Sequence, residues 1–261
     1  MTAPALSGQR TELDAFLAGN PYPGRYTDGL FFRDKMRAIH SIAPERVDGR
    51  VLEVGGGRSG LTRLLYGDAD LTTVDLDASH AKAEANRATG VHFVAADATA
   101  LPFDDQSFAL VTMFDLLEHV VDDAAAAREA WRVLQPGGCV LVTTPQRQRW
   151  RYPYYGIMRA IGRPEAELLN EWGHVRRGYT EGELEALFGR GTAKITSFIN
   201  PFVALSHDIA FSRLSRPGRL ALHALAAPMS LAGTRRALRP DDGIEIAVRF
   251  DKQGDEDGSS L

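Results

Sequence analysis

Residues 51–65 constrain the fold of this chain more than any other segment. The apolar run VLEV stops at the glycine-rich sequence GGGRSG, and Leu61, Leu64 and Leu65 then recur at helical spacing. A short apolar run that ends in glycines and continues into an amphipathic segment is typical of a strand, a tight turn and a helix. We therefore expect a β-strand whose C-terminal end leads directly into a helix.

Four further apolar runs follow, and they alternate with segments of helical pattern. The runs cover residues 71–76, 91–95, 108–114 and 139–143. The helical segments cover residues 81–88 and 116–134, and the second ends before Pro136-Gly137-Gly138. This alternation predicts an α/β fold with a doubly wound, parallel sheet.

The remaining elements complete a single predicted domain over residues 1–250. Helices are expected at 30–42 and 181–188, a sixth strand at 193–199 and a closing strand at 243–250. The predicted parts are an N-terminal lid (1–48), a core (51–145), a substrate-facing region (146–192) and a helical insertion (201–241), before a disordered tail (251–261).

Composition excludes several functional classes. The chain is 44% hydrophobic with a net charge of −4, which argues against a free-standing DNA- or RNA-binding protein. Cys139 is the single cysteine, so neither a disulfide framework nor a multi-cysteine zinc site is expected. The N-terminal sequence lacks a signal-peptide pattern, and the uncharged stretch 220–234 is too short to span a bilayer. A cytoplasmic protein is the expectation.

The glycine turn matches a nucleotide-binding fingerprint. Gly55, Gly57 and Gly60 follow the pattern G-x-G-x-x-G, and Asp75 stands twenty residues after Gly55, at the end of the next apolar run. Glycines let the backbone approach a ligand, and an acid at that spacing accepts hydrogen bonds from the two hydroxyls of a ribose. The pattern indicates an adenosine-containing ligand.

Glu53 discriminates between two adenosine-containing ligands, NAD and S-adenosylmethionine. It stands two residues before Gly55, beside the helix N-terminus where a dehydrogenase holds the pyrophosphate of NAD. A carboxylate there would repel a pyrophosphate and attract the ammonium group of S-adenosylmethionine (SAM), which also carries a positive sulfonium. Because Asp75 and Asp97 add two more carboxylates, the sequence favours SAM over NAD.

Several ordered motifs resemble those of class I SAM-dependent methyltransferases, in particular the common bacterial small-molecule enzymes of type 11. The motifs are VLEVGGGRSG, TTVDLD, VAADATALPFDDQSFALV, LLEHV and AWRVLQPGGCVLVTTP, with a weaker match at GHVRRGYTEGELEALF. They cover residues 51–145, which would be the SAM-binding core, and 173–188. The resemblance implies a Rossmann-like sheet of seven strands, mostly parallel, whose antiparallel closing strand is inserted beside the sixth.

The resemblance also implies how SAM is held at its methionyl and ribose ends. Glu53 would bind the methionyl amine, and the backbone at Gly55 and Gly57 would lie against the methionyl and ribose portions. Asp75 would accept hydrogen bonds from both ribose hydroxyls.

Four more residues would bind the adenine and the sulfonium. Leu76 would pack on the adenine, and Asp97 would accept a hydrogen bond from its N6 amino group. The backbone N–H of Ala98 would meet the ring, and the carbonyl of Phe114 would lie near the sulfonium.

The acceptor is expected to be a small molecule, and a hydroxyl is favoured over nitrogen or carbon as the methylated atom. Methyl transfer from a sulfonium is an in-line displacement, so the protein must orient the acceptor and exclude water. A hydroxyl must also lose its proton, and His119 and His174 are the candidate bases, with purely structural roles as the alternative. Candidate pocket residues are Tyr22, Tyr26, Arg33, Trp150, Tyr152, Tyr154, Tyr155 and Trp172, for which ordinary packing is the alternative.

A divalent metal site is a further hypothesis. Asp115, Glu118 and His119 have the spacing i, i+3, i+4, so a helix starting directly after the fourth strand would carry them on one face. With His174 they would offer two carboxylates and two imidazoles to Mg²⁺, Mn²⁺ or Zn²⁺. The arrangement resembles that of metal-dependent O-methyltransferases, with Asp115 where a glutamate is usual. The alternative is a helix N-cap, with Asp115 on the first amides and Glu118 reaching back.

The insertion 201–241 has a basic amphipathic composition, because arginines are interleaved with apolar residues. The arginines are Arg213, Arg216, Arg219, Arg235, Arg236 and Arg239. Such a segment would suit an anionic membrane or a lipid-linked substrate, and a helical lid or dimer surface is the alternative. An RNA methyltransferase, a NAD-dependent reductase and a non-catalytic SAM-binding protein are the competing functions. Glu53 opposes the reductase, and the lack of a basic appended domain opposes RNA.

Overall fold

The computed structural model describes residues 7–22, 26–189, 192–236, 239 and 242–254. Its strands form a two-stranded sheet, β1-β2, and a seven-stranded sheet of order β5-β4-β3-β6-β7-β9-β8. The strands are β1 (Ser7–Gln9), β2 (Arg46–Asp48), β3 (Val51–Val54), β4 (Leu71–Asp75), β5 (Val91–Ala95), β6 (Phe108–Phe114), β7 (Leu134–Pro145), β8 (Thr192–Phe198) and β9 (Glu245–Asp251).

Helices flank the larger sheet. The α-helices of the described residues are α1 (Leu13–Ala18), α2 (Tyr26–Ile42), α3 (Leu61–Leu65), α4 (Asp123–Val133), α5 (Glu165–Trp172), α6 (Glu181–Phe188), α7 (Pro201–Ala210) and α8 (Arg216–Thr234). Short 3-10 helices cover Ala78–Lys82, Ala85–Arg87, Leu117–His119 and Gly156–Ala160. Over the part of the chain that the structure describes, no helix has both the length and the apolar character needed to cross a bilayer.

The strand order places a crevice at the centre of the sheet. From β3 the chain passes outwards to β4 and β5, and it then returns to β6 on the other side of β3, with all these neighbours parallel. In open α/β sheets, ligands bind outside the carboxyl ends of the strands at such a reversal. Gly55 follows β3 directly, Asp115 follows β6, and Asp75 is the last residue of β4.

The closing strand confirms the expected topology. β9 lies between β7 and β8 and runs antiparallel to both, so the sheet is mostly parallel with one inserted antiparallel strand. The register pairs Glu245 with Pro145, the last residue of β7. A residue from the C-terminal region therefore reaches the sheet edge where Asp115 lies.

The core has one apolar layer on each face of the sheet, because side chains alternate along each strand. In β6, Leu110 packs in the layer that contains Ile39 of α2. Its neighbour Val111 packs in the opposite layer with Ala126 of α4 and Leu184 of α6. The two layers fix α2 on one face and α4 and α6 on the other.

The helix expected at 81–88 is wrong. The segment forms two 3-10 helices, Ala78–Lys82 and Ala85–Arg87, with Ala83 in an extended conformation between them. The buried Asn86 side chain donates hydrogen bonds to the carbonyls of Gly57 and His80 at 2.8 and 2.9 Å. These bonds hold the segment beneath the glycine turn, where a continuous helix would carry the amide elsewhere.

Several boundaries also differ from expectation, among them those of α2, β7 and β9. α2 begins four residues before the predicted start, at Tyr26. β7 begins at Leu134 because Leu134 pairs with Phe108 while Cys139 pairs with Leu110, which leaves residues 135–138 as a bulge. Asp251, the first residue of the predicted tail, belongs to β9, and residues 255–261 of that tail lie outside the described residues.

Candidate active site

A first cavity of about 460 Å³ lies at the carboxyl ends of β3, β4 and β5, and we call it the cofactor cavity. The predicted cofactor residues in its wall are Gly55, Asp75, Leu76, Asp97 and Ala98. The structure therefore brings together five of the eight residues that the sequence assigned to the cofactor. Of the other three, Glu53 and Phe114 are adjacent in sequence to wall residues, and Gly57 lies two positions after Gly55.

Gly55 and Gly57 bring the backbone of the glycine turn close to the cavity and to β4. Gly55 has φ +72°, and a Cβ there would lie 2.6 Å from the Cδ1 of Leu116, which lines the cavity. Gly57 has φ +54°, and its backbone N–H donates to Asp75 Oδ2 at 2.9 Å. A positive φ is unfavourable for residues that carry a Cβ atom, whereas glycine adopts it readily. The turn thus keeps the backbone close to β4 and to the cavity.

Asp75 is oriented by two backbone amides. Its Oδ2 accepts from Gly57, and its Oδ1 accepts from the N–H of Asp77 at 2.9 Å, with His80 Nδ1 at 3.1 Å from the same oxygen. A carboxylate oxygen can accept more than one hydrogen bond, so both oxygens keep capacity for a ligand. The following residue, Leu76, is 77% exposed at the cavity and presents an apolar surface to it.

Asp97 is held as a carboxylate. Its Oδ1 accepts from the backbone N–H and the hydroxyl of Thr99, both at 2.8 Å, and these bonds lower the pKa of Asp97 below its ordinary value. The next residue, Ala98, also lines the cavity. The wall therefore carries aspartate side chains at two strand ends.

Glu53 lies beneath the glycine turn and outside the cavity wall. It is 2% exposed, and Thr62 of α3 and Thr73 of β4 donate their hydroxyls to it at 2.7 and 3.3 Å. Burial raises the pKa of Glu53 above its ordinary value, although these hydrogen bonds oppose the shift. Phe114 ends β6 directly before Asp115 and also lies outside the wall. The predicted contacts of all eight residues with SAM stay predictions.

A second cavity of about 500 Å³ adjoins the first, and we call it the acceptor cavity. Asp115 and His119 line both cavities. Of the aromatic residues that the sequence suggested, Tyr22, Trp150 and Trp172 line the acceptor cavity. The side chain of Tyr26 lies outside the described residues.

Other walls of this cavity were not found from the sequence. Phe31 and Phe32 come from α2, and His207 and Phe211 come from α7 and its C-cap. A periodic apolar pattern along α2 was visible, but nothing in the sequence showed that α7 would fold back over α2. Tyr152 packs behind the wall, where its ring centroid lies 5.7 Å from that of His207.

Lys35 of α2 lies at the junction of the cavities and was also missed. Its ammonium contacts Asp115 Oδ2, and Thr143 donates its hydroxyl to Asp115 Oδ1 at 2.7 Å. Although burial lowers it, the carboxylates of Asp115 and Glu245 raise the pKa of Lys35 above its ordinary value. The lysine therefore stays charged beside the acids. In the sequence, the only signal for this ion pair was the place of Lys35 within the predicted helix at 30–42.

Two further carboxylates complete this charged group. Glu118 is 1% exposed and accepts from the Thr144 hydroxyl at 3.0 Å, and burial together with Asp115 raises its pKa well above the ordinary value. Glu245 lines the acceptor cavity, and burial raises its pKa as well. Among the described residues, Glu245 Oε2 is buried without a hydrogen-bond partner. It starts the closing strand, whose sequence pattern indicated only a strand.

His119 and His174 come together as predicted. Their rings lie 4.7 Å apart at nearly a right angle, and His119 Nδ1 is 3.2 Å from the carbonyl of Gly173, the residue that ends α5. Burial, and secondarily His119, lower the pKa of His174 to about 4, so its ring is neutral at neutral pH. His174 Nδ1 is buried without a partner among the described residues.

The helix that was to carry Asp115, Glu118 and His119 on one face is wrong. Asp115 has φ +49°, which no α-helix contains, residues 117–119 form a 3-10 turn, and α4 begins at Asp123. The capping alternative fails too, because the N-cap of α4 is Asp122, which accepts from the N–H of Ala125 at 2.9 Å. Ligand atoms of Glu118, His119 and His174 nevertheless lie within 4.8 Å of one another.

Comparison with known proteins identifies the domain. The Methyltransf_11 family model, a methyltransferase domain, matches residues 52–142. A demethylmenaquinone methyltransferase of Renibacterium salmoninarum is 38% identical over 114 residues, which cover 43% of this chain and 46% of that protein. A ubiquinone/menaquinone biosynthesis C-methyltransferase of Vibrio campbellii is 39% identical over 103 residues, which cover 36% and 40% of the two proteins. The chain thus spans less than half the length of each relative.

Solved structures agree on the fold. The SAM-dependent methyltransferase of Mesorhizobium loti matches with a TM-score of 0.56 and 20% identity, covering 86% of this chain and 99% of that one. The seven-stranded sheet with its inserted antiparallel strand is therefore the Rossmann-like methyltransferase fold. Residues 52–142 match the model of a methyltransferase domain, and the fold around them is that of the Mesorhizobium loti enzyme.

Proposed function

We propose that the protein transfers a methyl group from SAM to a small-molecule acceptor, at a hydroxyl group. The observation that carries the proposal is that the cofactor cavity and the acceptor cavity meet at Asp115 and His119. In-line displacement requires the donor sulfur, the methyl carbon and the acceptor atom to align, and two adjoining cavities allow this. The aromatic walls of the acceptor cavity suit a planar or apolar acceptor and exclude water.

The cofactor cavity supports SAM as the donor. Asp75 and Asp97 provide carboxylates at the places where the family holds ribose and adenine N6, and Leu76 provides an apolar surface between them. The ammonium of Lys35 lies on the acceptor side, where Asp115 balances it. The electrostatic environment of the cofactor cavity therefore suits a cation and disfavours the pyrophosphate of NAD.

The chemical step needs a proton acceptor as well as alignment. The acceptor oxygen forms a bond to the methyl carbon while the carbon–sulfur bond breaks, which leaves neutral S-adenosylhomocysteine. The hydroxyl proton then passes to a base. We assign this role to the pair His119 and His174, since both line the acceptor cavity with their rings 4.7 Å apart.

A divalent ion is the second route to the same deprotonation. Glu118, His119 and His174 fit one, because their ligand atoms converge and the contact of His119 Nδ1 with Gly173 would leave Nε2 for the ion. Asp115, the fourth predicted ligand, is instead engaged by Lys35 and Thr143. Such an ion would hold the acceptor oxygen and lower the pKa of its hydroxyl.

Carbon methylation is the alternative outcome of the same site. It is favoured by the relative from Vibrio campbellii, which is named a C-methyltransferase. A base that deprotonates a phenolic hydroxyl also makes the neighbouring ring carbons nucleophilic, so His119 and His174 would serve either reaction. The methylated atom is read from the product, since O- and C-methyl carbons differ in NMR chemical shift.

Calorimetry followed by product detection tests the proposal. The chain should bind SAM and S-adenosylhomocysteine but not NAD, and binding of NAD without SAM would overturn it. Incubation with methyl-labelled SAM and an extract of the host should then transfer label to a small molecule. SAM binding with no consumption, whatever acceptors are supplied, would indicate a non-catalytic SAM-binding protein instead.

A further inference from the structure

The outer face of α8 is apolar and exposed over most of its length. Leu220, Leu225 and Leu231 are 61%, 80% and 49% exposed, and Met229 is 39% exposed. The opposite face is buried through Ala226, Ser230 and Gly233 against α7. Exposed leucines grouped in this way differ from the scattered apolar residues of an ordinary surface.

No charge interrupts this face. Residues 220–234 contain no Asp, Glu, Lys or Arg, and the exposed positions other than the leucines are alanines, Pro228 and Met229. With 3.6 residues per turn, these exposed positions occupy one side of the helix. They are residues 220, 221, 224, 225, 228, 229, 231 and 232. The result is one continuous apolar face, which we call the α8 face.

Arginines flank both ends of the α8 face. Arg213, Arg216 and Arg219 precede or begin the helix, and Arg235 follows it. None of these four has a carboxylate partner in the part of the chain that the structure describes, whereas Arg236 pairs with Asp242 at 2.9 Å. An apolar helix face with unpaired arginines at its ends matches the acyl and headgroup layers of an anionic membrane.

We propose that the chain docks on an anionic membrane surface through the α8 face, with the helix lying in the plane of the interface. A second copy of the chain fits the face less well. A two-fold contact would bring the four unpaired arginines of one copy near those of the other, with no acid within residues 213–235 to neutralise them. Anionic headgroups neutralise these charges, and the apolar face enters the acyl boundary.

The α8 face lies one helix away from the acceptor cavity. α8 packs on α7, which with its C-cap supplies His207 and Phe211 to the cavity wall. His223 of α8 is 3.5 Å from the hydroxyl of Thr27, next to the cavity residue Asp28 on α2. If the proposed methyl transfer is right, docking would bring the aromatic cavity to the bilayer and supply an apolar, membrane-dissolved acceptor. That second step rests on the proposed function, and the docking does not.

Vesicle flotation of the full chain tests the docking. The chain should float with vesicles of phosphatidylcholine and phosphatidylglycerol and stay behind with phosphatidylcholine alone. The double variant Leu220→Glu, Leu225→Glu should lose flotation, because it places charges in the acyl boundary. Leu13→Glu, at an exposed leucine of α1, is the matched control and should float normally. Replacing Arg213, Arg216 and Arg235 with Gln should weaken binding to the anionic vesicles about fivefold for each arginine replaced.

Each outcome decides the proposal. Because the substituted leucines are exposed, an unchanged melting temperature shows that loss of flotation is not loss of folding. Equal flotation with both vesicle types, or normal flotation of the double variant, overturns the docking. A dimer in sedimentation velocity that the double variant dissociates would assign the α8 face to a second copy instead. SAM binding by calorimetry, measured without vesicles, reports separately on the proposed function.

Discussion

The two cavities that meet at Asp115 and His119 are built in different ways. In the cofactor cavity, the polar groups are fixed over short separations in sequence: Asp97 by Thr99 and Asp75 by Asp77, two positions away in each case, and Asp75 also by Gly57, eighteen positions before it. In the acceptor cavity, the central ion pair joins Lys35 and Asp115 across eighty positions of the chain. One site is a local motif and the other is a product of the whole fold.

The groups that stabilise the carboxylates of the two cavities differ in the same way. Backbone amides and a hydroxyl stabilise the carboxylates of the cofactor cavity, and these donors depend on the turn conformation alone. The carboxylates of the acceptor cavity share one buried ammonium, that of Lys35. The carboxylates of the cofactor cavity are held by local backbone amides, whereas Asp115 of the acceptor cavity contacts a lysine on the distant helix α2. The acceptor cavity should therefore be the more fragile of the two.

The largest difference between the cavities should be seen on chelation. If Glu118, His119 and His174 hold a divalent ion, EDTA abolishes methyl transfer, added divalent ion restores it, and SAM binding is unchanged throughout. His174→Ala should be inactive while still binding SAM, and His92→Ala, at an exposed position, is the control. Turnover is followed as S-adenosylhomocysteine release. Full activity in EDTA would rule out a metal requirement and leave the two imidazoles as the candidate bases.

Removal of the lysine should destabilise the acceptor cavity. Lys35→Met leaves Asp115 and the neighbouring buried carboxylates without a cation, which typically costs about 3–5 kcal/mol. We expect a loss of that size in the free energy of unfolding, measured with urea at neutral pH. Lys82→Met, at an exposed lysine, should change it little.

Adding Asp115→Asn to Lys35→Met should recover part of the loss, because it removes the carboxylate left unpaired. If Lys35→Met alone were as stable as the parent, the buried carboxylates around Asp115 would not depend on Lys35.

Loss of a ribose ligand should act on the cofactor cavity alone. Asp75→Ala removes two charge-assisted hydrogen bonds to the expected ribose and should weaken SAM binding by about 2–4 kcal/mol in calorimetry. The neighbouring Asp77→Ala, whose side chain caps Ser79, is the matched control. Similar SAM affinities for both variants would contradict the assignment of Asp75.

The cofactor half of the fold could be predicted because its signals are local. The strands at 51–54, 91–95 and 108–114 have the expected limits, and the glycine turn identified the end of β3. Asp75, Leu76, Asp97 and Ala98 line the cavity for the same reason, since each lies at the end of a strand or within three residues after it. Where the prediction failed, at 81–88, a single long-range contact of Asn86 decided the backbone.

The acceptor half could be predicted only in part, because its contacts join distant segments. His119 and His174 were found from their place after strands, but Lys35, Glu245 and His207 were not. No pattern in α2, α7 or β9 shows which residues meet across the sheet edge. The left-handed conformation of Asp115 was equally hidden, because its hydrogen bonds to Thr143 replace those of the expected helix.

The smallest expected effect is a pH dependence of stability that comes from His207 in the acceptor cavity. Burial lowers the pKa of His207 to about 4, well below its value in an unfolded chain. Between pH 6.5 and 4 the unfolded state therefore binds the additional proton, and this residue's contribution to stability falls as the pH falls, by up to about 1.4 kcal/mol per pH unit. His207→Phe retains an aromatic ring against Trp172 and Phe211 and removes that slope. Urea unfolding at several pH values, with His92→Phe as the exposed control, measures it. Parallel curves for His207→Phe and the parent would mean that water reaches the ring, so the acceptor cavity would be open where its aromatic wall is expected to close it.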